Sequence, residues 1–534
     1  MRSATLVFLL MSSAACAQNA AVTVAIDATA KVHPVSPLIY GVAFGTASEL
    51  DALNAPLNRS GGNNTSTYNY VNNAQNLDND YFFESYPQQG TAAGAEPDGF
   101  VLASLRAGAV PMITVPLIGW TAKLGANRAI LPSFSVKKYG PQCSVDPYFP
   151  DAGDGIKTDC TTDITGNDPT DAYVSTPVVG NTPWLKHLVK RWGAASAGGV
   201  GYYLMDNEPS IWFGTHRDIH PVGPHANEYL QKTLTASKMV KSIDPSALVV
   251  APEEWGWEAY TYSGYDQQYA AAHGYSSFPD FKNEQGGVPY IPWLLSKWKA
   301  AGHPVDVLSV HFYPQGAEFT NDVSTATQLL RNRSTRQLWD PNYVSESWID
   351  APVYLIPRMQ GWISQYYYAG TPIAITEYNW GAEGYINGAT TQADILGIFG
   401  AYGLNMATRW TVPALGSPTF KSMQMYRNYD GKKSTFGETS VSAVAPDPDD
   451  LSAFAALRAS DGALTVMVIS KVLSGTTPLS LSLAHFGSSG TAQAYQLTSA
   501  NKIVKLAPRA WSGGVLKDTL PAQSITLYLL PKST

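Results

Sequence analysis

A chain of 534 residues is longer than one ordinary domain, although a large barrel fills most of such a length. Only 14% of the residues are charged, 11% are aromatic (with 30 Tyr and 14 Trp), and the formal net charge is −7. These figures exclude a disordered chain and a nucleic-acid partner, whose phosphates an acidic surface repels, and they suit uncharged sugars that stack on aromatic rings.

Residues 1–17 carry one positive charge (Arg2), a short apolar core and the small-x-small ending Ala15-Cys16-Ala17, the pattern of a signal peptide. That core is too short for a permanent membrane span, and no other segment is long and apolar enough to be one. The protein is therefore expected to be secreted, extracellular or periplasmic. A lipoprotein acylated at Cys16 is the weaker alternative, because Ser13 stands where a larger aliphatic residue is usual. Cys143 and Cys160 are left as a pair. In an oxidising compartment they are expected to form a disulfide, which lowers the entropy of the open chain by about 3 kcal/mol.

After an alternating strand at 21–29 come eight short apolar runs, at 38–44, 57–61, 110–120, 201–208, 247–255, 305–313, 372–379 and 404–410. Helical periodicity lies between many of them, at 184–192, 226–243, 290–301, 354–368 and 391–402. Strands alternating with helices predict an α/β chain with a (β/α)8 TIM barrel over 30–418. An open doubly wound sheet is the competitor, but 41–45 makes no Gly-rich phosphate loop. The runs also end in Arg59, Trp120, Asn207-Glu208, Glu253-Glu254-Trp255, His311 with Tyr313, Glu377-Tyr378 and Trp410. In barrels that end carries the active site. From 419 to 534 the pattern turns to alternating segments, at 463–470, 479–483, 492–497 and 524–530. These predict an antiparallel β-sandwich domain that the strand at 21–29 joins.

Glycosidic bonds are cleaved between two carboxyl groups. Glu208, in Asn207-Glu208-Pro209, and Glu377, in Thr376-Glu377-Tyr378, end the fourth and seventh runs, which face one another across a closed barrel mouth. A Glu alone at a strand end is usually just a solvated charge; the pair is the stronger signal. Strand position makes Arg59, His311 and Tyr313 candidates to hold Glu377 or to touch sugar, with a core histidine as the plain alternative for His311. Asn207 is expected on a sugar hydroxyl, and Trp120, Trp255, Tyr378 and Trp410 on sugar faces. Glu253 and Glu254 are possible catalytic rivals read here as supporting residues, and Asp206 as a loop stabiliser. Asp151, Asp154 and Asp159 offer oxygen ligands to a structural Ca2+, with plain surface turns as the alternative. His216 and His220 lack metalloprotease spacing and read as loop-structuring, and the chemistry requires no cofactor.

Three segments carry a family resemblance. Asn207-Glu208-Pro209, followed by Trp212, Thr215-His216 and His220-Pro221, resembles the acid/base region of glycoside hydrolase family 44. The segment Ile375-Thr376-Glu377-Tyr378-Asn379-Trp380-Gly381 resembles its nucleophile strand, and Arg59-Ser60-Gly61-Gly62-Asn63 its Arg-x-Gly-Gly-Asn segment. Tyr70 departs from the pattern, where Trp is common. The resemblance implies retaining endo-hydrolysis of β-1,4-glucans, of cellulose type and xyloglucan, with Glu208 as acid/base and Glu377 as nucleophile. A glycanase acting mainly on xylan or mannan, and a non-catalytic polysaccharide-binding protein, are the alternatives. A monomer with no membrane span and no nucleic-acid partner is expected.

Overall fold

Eight parallel strands close into a barrel in the computed structural model, which describes residues 18–532. The expected signal segment and Cys16 lie outside the described residues. The strands are Gly41–Ala43, Leu57–Ser60, Val110–Val115, Tyr202–Met205, Leu248–Glu254, Val307–Phe312, Ile373–Tyr378 and Met406–Arg409. Each pairs with its neighbours in sequence, and the eighth returns to the first with Thr408 beside Gly41. Every one falls within an apolar run read from the sequence.

One layer of side chains fills the barrel interior. Leu57, Met112, Leu204, Val250, Val307, Ala374 and Met406, one each from the second to eighth strands, form a separate buried cluster. The first strand offers Gly41 here, because a Cβ would come within 2.8 Å of Leu57 and Thr408. The outward faces pack under helices Thr182–Trp192, Ala226–Ile243, Tyr290–Ala300, Leu355–Tyr366 and Ile386–Ala401. The last of these begins five residues before its expected start. Its buried first turns carry Asn387, Thr390 and Thr391, so apolar periodicity does not mark them.

The second domain corrects the sandwich expectation. Its strands form a ring of nine rather than two open antiparallel sheets. Val22–Asp27 leads through Thr439–Val444, Leu451–Leu457, Leu464–Ser470, Ser524–Leu530, Gly490–Leu497, Arg509–Ser512 and Val515–Pro521 to Thr476–Ala484, which pairs with Val22–Asp27 again. That closing pair is parallel; the other neighbours are antiparallel. Two strands turn the corners. Thr439–Val444 gives its first half to one neighbour and its second to Val22–Asp27, and Gly490–Leu497 divides likewise. Alternation in a sequence distinguishes inside from outside, which sandwich and closed ring share, so it is silent about closure.

The ring packs against the first barrel through strands buried on both faces. In Ser524–Leu530, Tyr528 and Leu530 point into the ring core while Ile525, Leu527 and Leu529 join the barrel's outer core. Lys471 and Asp394 pair across the contact at 2.6 Å, both buried. Cys143 and Cys160 are bonded, closing the loop between the third and fourth barrel strands. Among the described residues no helix is long and apolar enough to cross a membrane.

Candidate active site

The polar residues collect where the barrel strands end. Arg59 rises from the second strand into the interior and is fully buried. Its Nη1 donates to Glu377 Oε1 at 2.7 Å, and Nη2 donates to Glu253 Oε2 and Asn207 Oδ1, both at 3.0 Å. One planar guanidinium thus ties together the ends of the fourth, fifth and seventh strands. Gly61 makes room for it, since a Cβ there would overlap the guanidinium. Gly62 has φ +91°, open to glycine, and its N–H reaches Asn207 Oδ1 at 3.0 Å.

Two bulges aim the acids. The pairing register slips between Pro252 and Glu254, and again where His311 comes to lie opposite Glu377. A bulge interrupts strict alternation, so one face gains a residue that the pleat would send to the other. Ala374 faces the interior, Glu377 also faces inward, and Tyr378 turns outward. This corrects the placement of Tyr378 on a sugar face. Its ring lies edge-on to Phe399 and its hydroxyl accepts from Gln392.

Glu208 stands in the left-handed region, with φ +43°. Beneath it the Asp206 carboxylate accepts from the Ser66 hydroxyl and from the amides of Leu117, Ile118 and Asn207. That is the loop-stabilising role read for Asp206. Glu208 Oε1 meets His311 Nδ1 at 2.8 Å, and Glu377 Oε2 accepts from the Tyr313 hydroxyl at 2.8 Å. One carboxylate oxygen each of Glu208 and Glu377, and a ring nitrogen of His311, lie within 4.8 Å of one another.

The environment separates the charges. Burial raises the Glu208 carboxyl, the Glu377 charge raises it further, and the His311 hydrogen bond opposes both. Burial disfavours a charged His311, yet Glu377, Glu208 and Glu253 together push it up to about 10. Glu253 is held down against its own burial by Arg59 and His311. Burial carries Glu254 up to about 8, although Ser210 donates to it.

The carboxyl pair opens on a cleft of about 570 Å3, lined also by Asn63, Asp80, Trp255, Tyr313, Phe319 and Trp410. Trp255 is fixed by its N–H to Gln267 at 3.0 Å, and the Trp410 ring lies 5.9 Å from the Arg59 guanidinium. Asn207, expected on a sugar hydroxyl, spends its Oδ1 on Arg59 and Gly62 and its Nδ2 on Asn63. Trp120 is not brought to the cleft. It begins a short strand paired with Tyr173–Ser175 and packs on the outer core. Asp80 and Phe319 line the cleft but lie on connecting loops that no strand-end reasoning reaches; Asn63 had a signal in the Arg-x-Gly-Gly-Asn segment.

Among the described residues the three acids considered for Ca2+ do not as a set bring ligand atoms within 4.8 Å of one another. Asp151 accepts from Ser135 and the Lys137 amide, Asp154 from the Ile156 amide, and Asp159 from Thr161 and Thr162. Asp154 and Asp159 cap their own turns, whereas Asp151 reaches back to the turn at 135–137. His216 is buried beside Asp78 at 2.8 Å, and His220 meets Glu228 at 3.0 Å, both within the loop after the fourth strand or its contacts.

The chain matches the family model described as Glycoside hydrolase family 44 over residues 74–316. It is similar to CelM2, a bifunctional glucanase-xylanase protein from a metagenome library, at 55% identity and a TM-score of 0.95 over 97% of this chain and 100% of that one. It is also similar to a Paenibacillus polymyxa xyloglucanase from GH family 44 solved with xyloglucan, at 27% identity and a TM-score of 0.78 over 96% of this chain and 100% of that one. Endoglucanase A of Paenibacillus lautus is 30% identical over 487 residues, 84% of this chain and 64% of that protein. The chain spans less than two thirds of the length of the curated relatives it matches.

Proposed function

Because the chain belongs to glycoside hydrolase family 44, we propose that it is a retaining, endo-acting hydrolase of β-1,4-glucosidic bonds in cellulose-type glucans and xyloglucan. The observation that carries this reading is the close approach of Glu208 and Glu377, whose nearer oxygens lie within 4.8 Å. Retaining enzymes hold their carboxyl groups about 5–5.5 Å apart, whereas inverting enzymes leave about 6.5–9.5 Å for a water.

Glu377 attacks the anomeric carbon while Glu208 gives its proton to the departing glycosidic oxygen. Arg59 and Tyr313 each bond one oxygen of Glu377, which orients the carboxylate. Bond formation to the sugar cancels the Glu377 charge. That charge is one of the causes that raise Glu208, so its acidity increases once it has served as acid. Glu208 then takes a proton from water as the water attacks, and Glu377 is released. None of these steps calls on a metal.

The substrate class rests on relatives. A xyloglucanase solved with xyloglucan shares the fold along nearly the whole chain, and a glucanase-xylanase is 55% identical. The second relation makes xylan the competing substrate. Reducing-sugar release from xyloglucan, carboxymethylcellulose, xylan and glucomannan tests the choice. Preferred cleavage of xyloglucan or carboxymethylcellulose is expected; preferred cleavage of xylan or glucomannan would transfer the assignment to that polymer. Export and a monomeric state belong to the same proposal, and the Cys143–Cys160 bond supports an oxidising compartment.

A further inference from the structure

Glu253 is fully buried and is not among the residues lining the cleft. A charge so placed is costly unless its partners use it. Its Oε2 faces Arg59 Nη2 at 3.0 Å and His311 Nε2 at 3.4 Å, and its Oε1 accepts from the Thr376 hydroxyl at 2.8 Å. Its amide reaches the Ser309 hydroxyl, and its carbonyl accepts from the amide of Glu208 at 3.0 Å. Every polar atom of Glu253 is therefore engaged with a residue at or beside the carboxyl pair.

His311 explains the arrangement. Both of its ring nitrogens face carboxylates, Nε2 toward Glu253 and Nδ1 toward Glu208 at 2.8 Å and Glu377 at 3.6 Å. A neutral imidazole has one N–H, and only the imidazolium can donate on both sides. Arg59 Nη2, 3.3 Å from Nε2, opposes that second positive charge. Glu253 Oε2 lies against both cations. Other titratable groups near the ring are Tyr313, bonded to Glu377, and Glu254 at the end of the fifth strand.

We propose that Glu253 is a positioning residue for the reaction: as the buried counter-ion of His311, it keeps the imidazolium donating to Glu208 Oε1 and leaves the other Glu208 oxygen to carry the proton to the glycosidic oxygen. This rests on the acid/base assignment of Glu208. With Glu208 protonated, the charges of Arg59, His311, Glu253 and Glu377 cancel. Neutralising Glu253 leaves one excess positive charge, so the Glu208–His311 pair loses its first proton at lower pH.

The test is Glu253→Gln, assayed across pH on xyloglucan and on 2,4-dinitrophenyl β-cellobioside, whose leaving group needs no protonation, with Glu208→Gln in parallel. For Glu253→Gln, kcat/KM on xyloglucan is expected to fall about 10²-fold while the aryl substrate is largely spared. The basic limb on xyloglucan should move down by about one to three pH units. If Glu208→Gln itself does not spare kcat/KM on the aryl substrate, which reports the first step alone, the acid/base assignment fails. If Glu208→Gln is selective but Glu253→Gln loses both substrates equally with an unmoved limb, Glu253 serves the fold alone and the inference is overturned. Should Glu253→Gln not fold, 15N-histidine-labelled wild type decides, with His311→Gln assigning the signal. Both His311 nitrogens protonated up to about pH 8 is the expected result, and titration near the ordinary imidazole value overturns it.

Discussion

Arg59 gives the site its geometry. It bonds Glu377, Glu253 and Asn207 from one buried plane, and a lysine offers a point charge without that fork. Arg59→Lys is therefore expected to lower kcat by about 10²-fold while the protein stays folded, as steady-state kinetics and circular dichroism would check. An unchanged kcat would mean that charge alone suffices. Glu208 and Glu377 were legible in the sequence because each ends an apolar run in a motif with a chemical rationale. Tyr378 was misplaced beside one of them, because the register slip opposite Val310 and His311 leaves no mark in residue types. Asn207 was legible as important but not in its role, since its partners Arg59 and Gly62 lie about 145 positions away in the chain.

At the scale of the elements, the eight strands were readable because each is an apolar run closed by polar residues, and seven of them give one apolar side chain to the interior layer while the first gives Gly41. Leu204, wholly buried in that layer, has no route to relax into. Leu204→Ala should cost about 2–5 kcal/mol of unfolding free energy in a denaturant titration. The loop after the second strand makes a sharper claim. A Cβ at Gly61 would overlap the Arg59 guanidinium, which is buried and bonded on several sides. Gly61→Ala should thus lower kcat by about 10²-fold with little loss of thermal stability. Wild-type turnover in that variant would show that the guanidinium can move without consequence. The closure of the second domain was not readable, because its corner strands change partners halfway along a regular alternation.

Across the whole molecule, two buried groups of the site set the direction of the pH dependence of stability. Glu254 has an ordinary value of 4.5 and is carried to about 8 in the fold. Its contribution is complete below about 4.5 and is lost as pH rises toward 8. His311, raised from 6.5 to about 10, contributes fully below 6.5 and loses that contribution as pH climbs through 10. Both act in one direction, so Tm should fall between about pH 5 and 8, and Glu254→Gln should flatten the decline. A Tm that rises over this interval in the wild type would contradict the assignment. At the interface between the two domains Gly397 lies directly under the Phe454 ring, beside a cavity of about 420 Å3, and these pairings were invisible in a sequence that places the partners far apart.

Azide rescue distinguishes Glu377 as the nucleophile from every other carboxyl of the site. Glu377→Ala is incubated with 2,4-dinitrophenyl β-cellobioside and sodium azide, and the anomeric configuration of the product is read by proton NMR. Negligible hydrolysis is expected without azide and an α-configured cellobiosyl azide with it, because azide enters the face that the carboxylate has vacated. Undiminished hydrolysis by the mutant, or an azide product of β configuration, would contradict that role of Glu377.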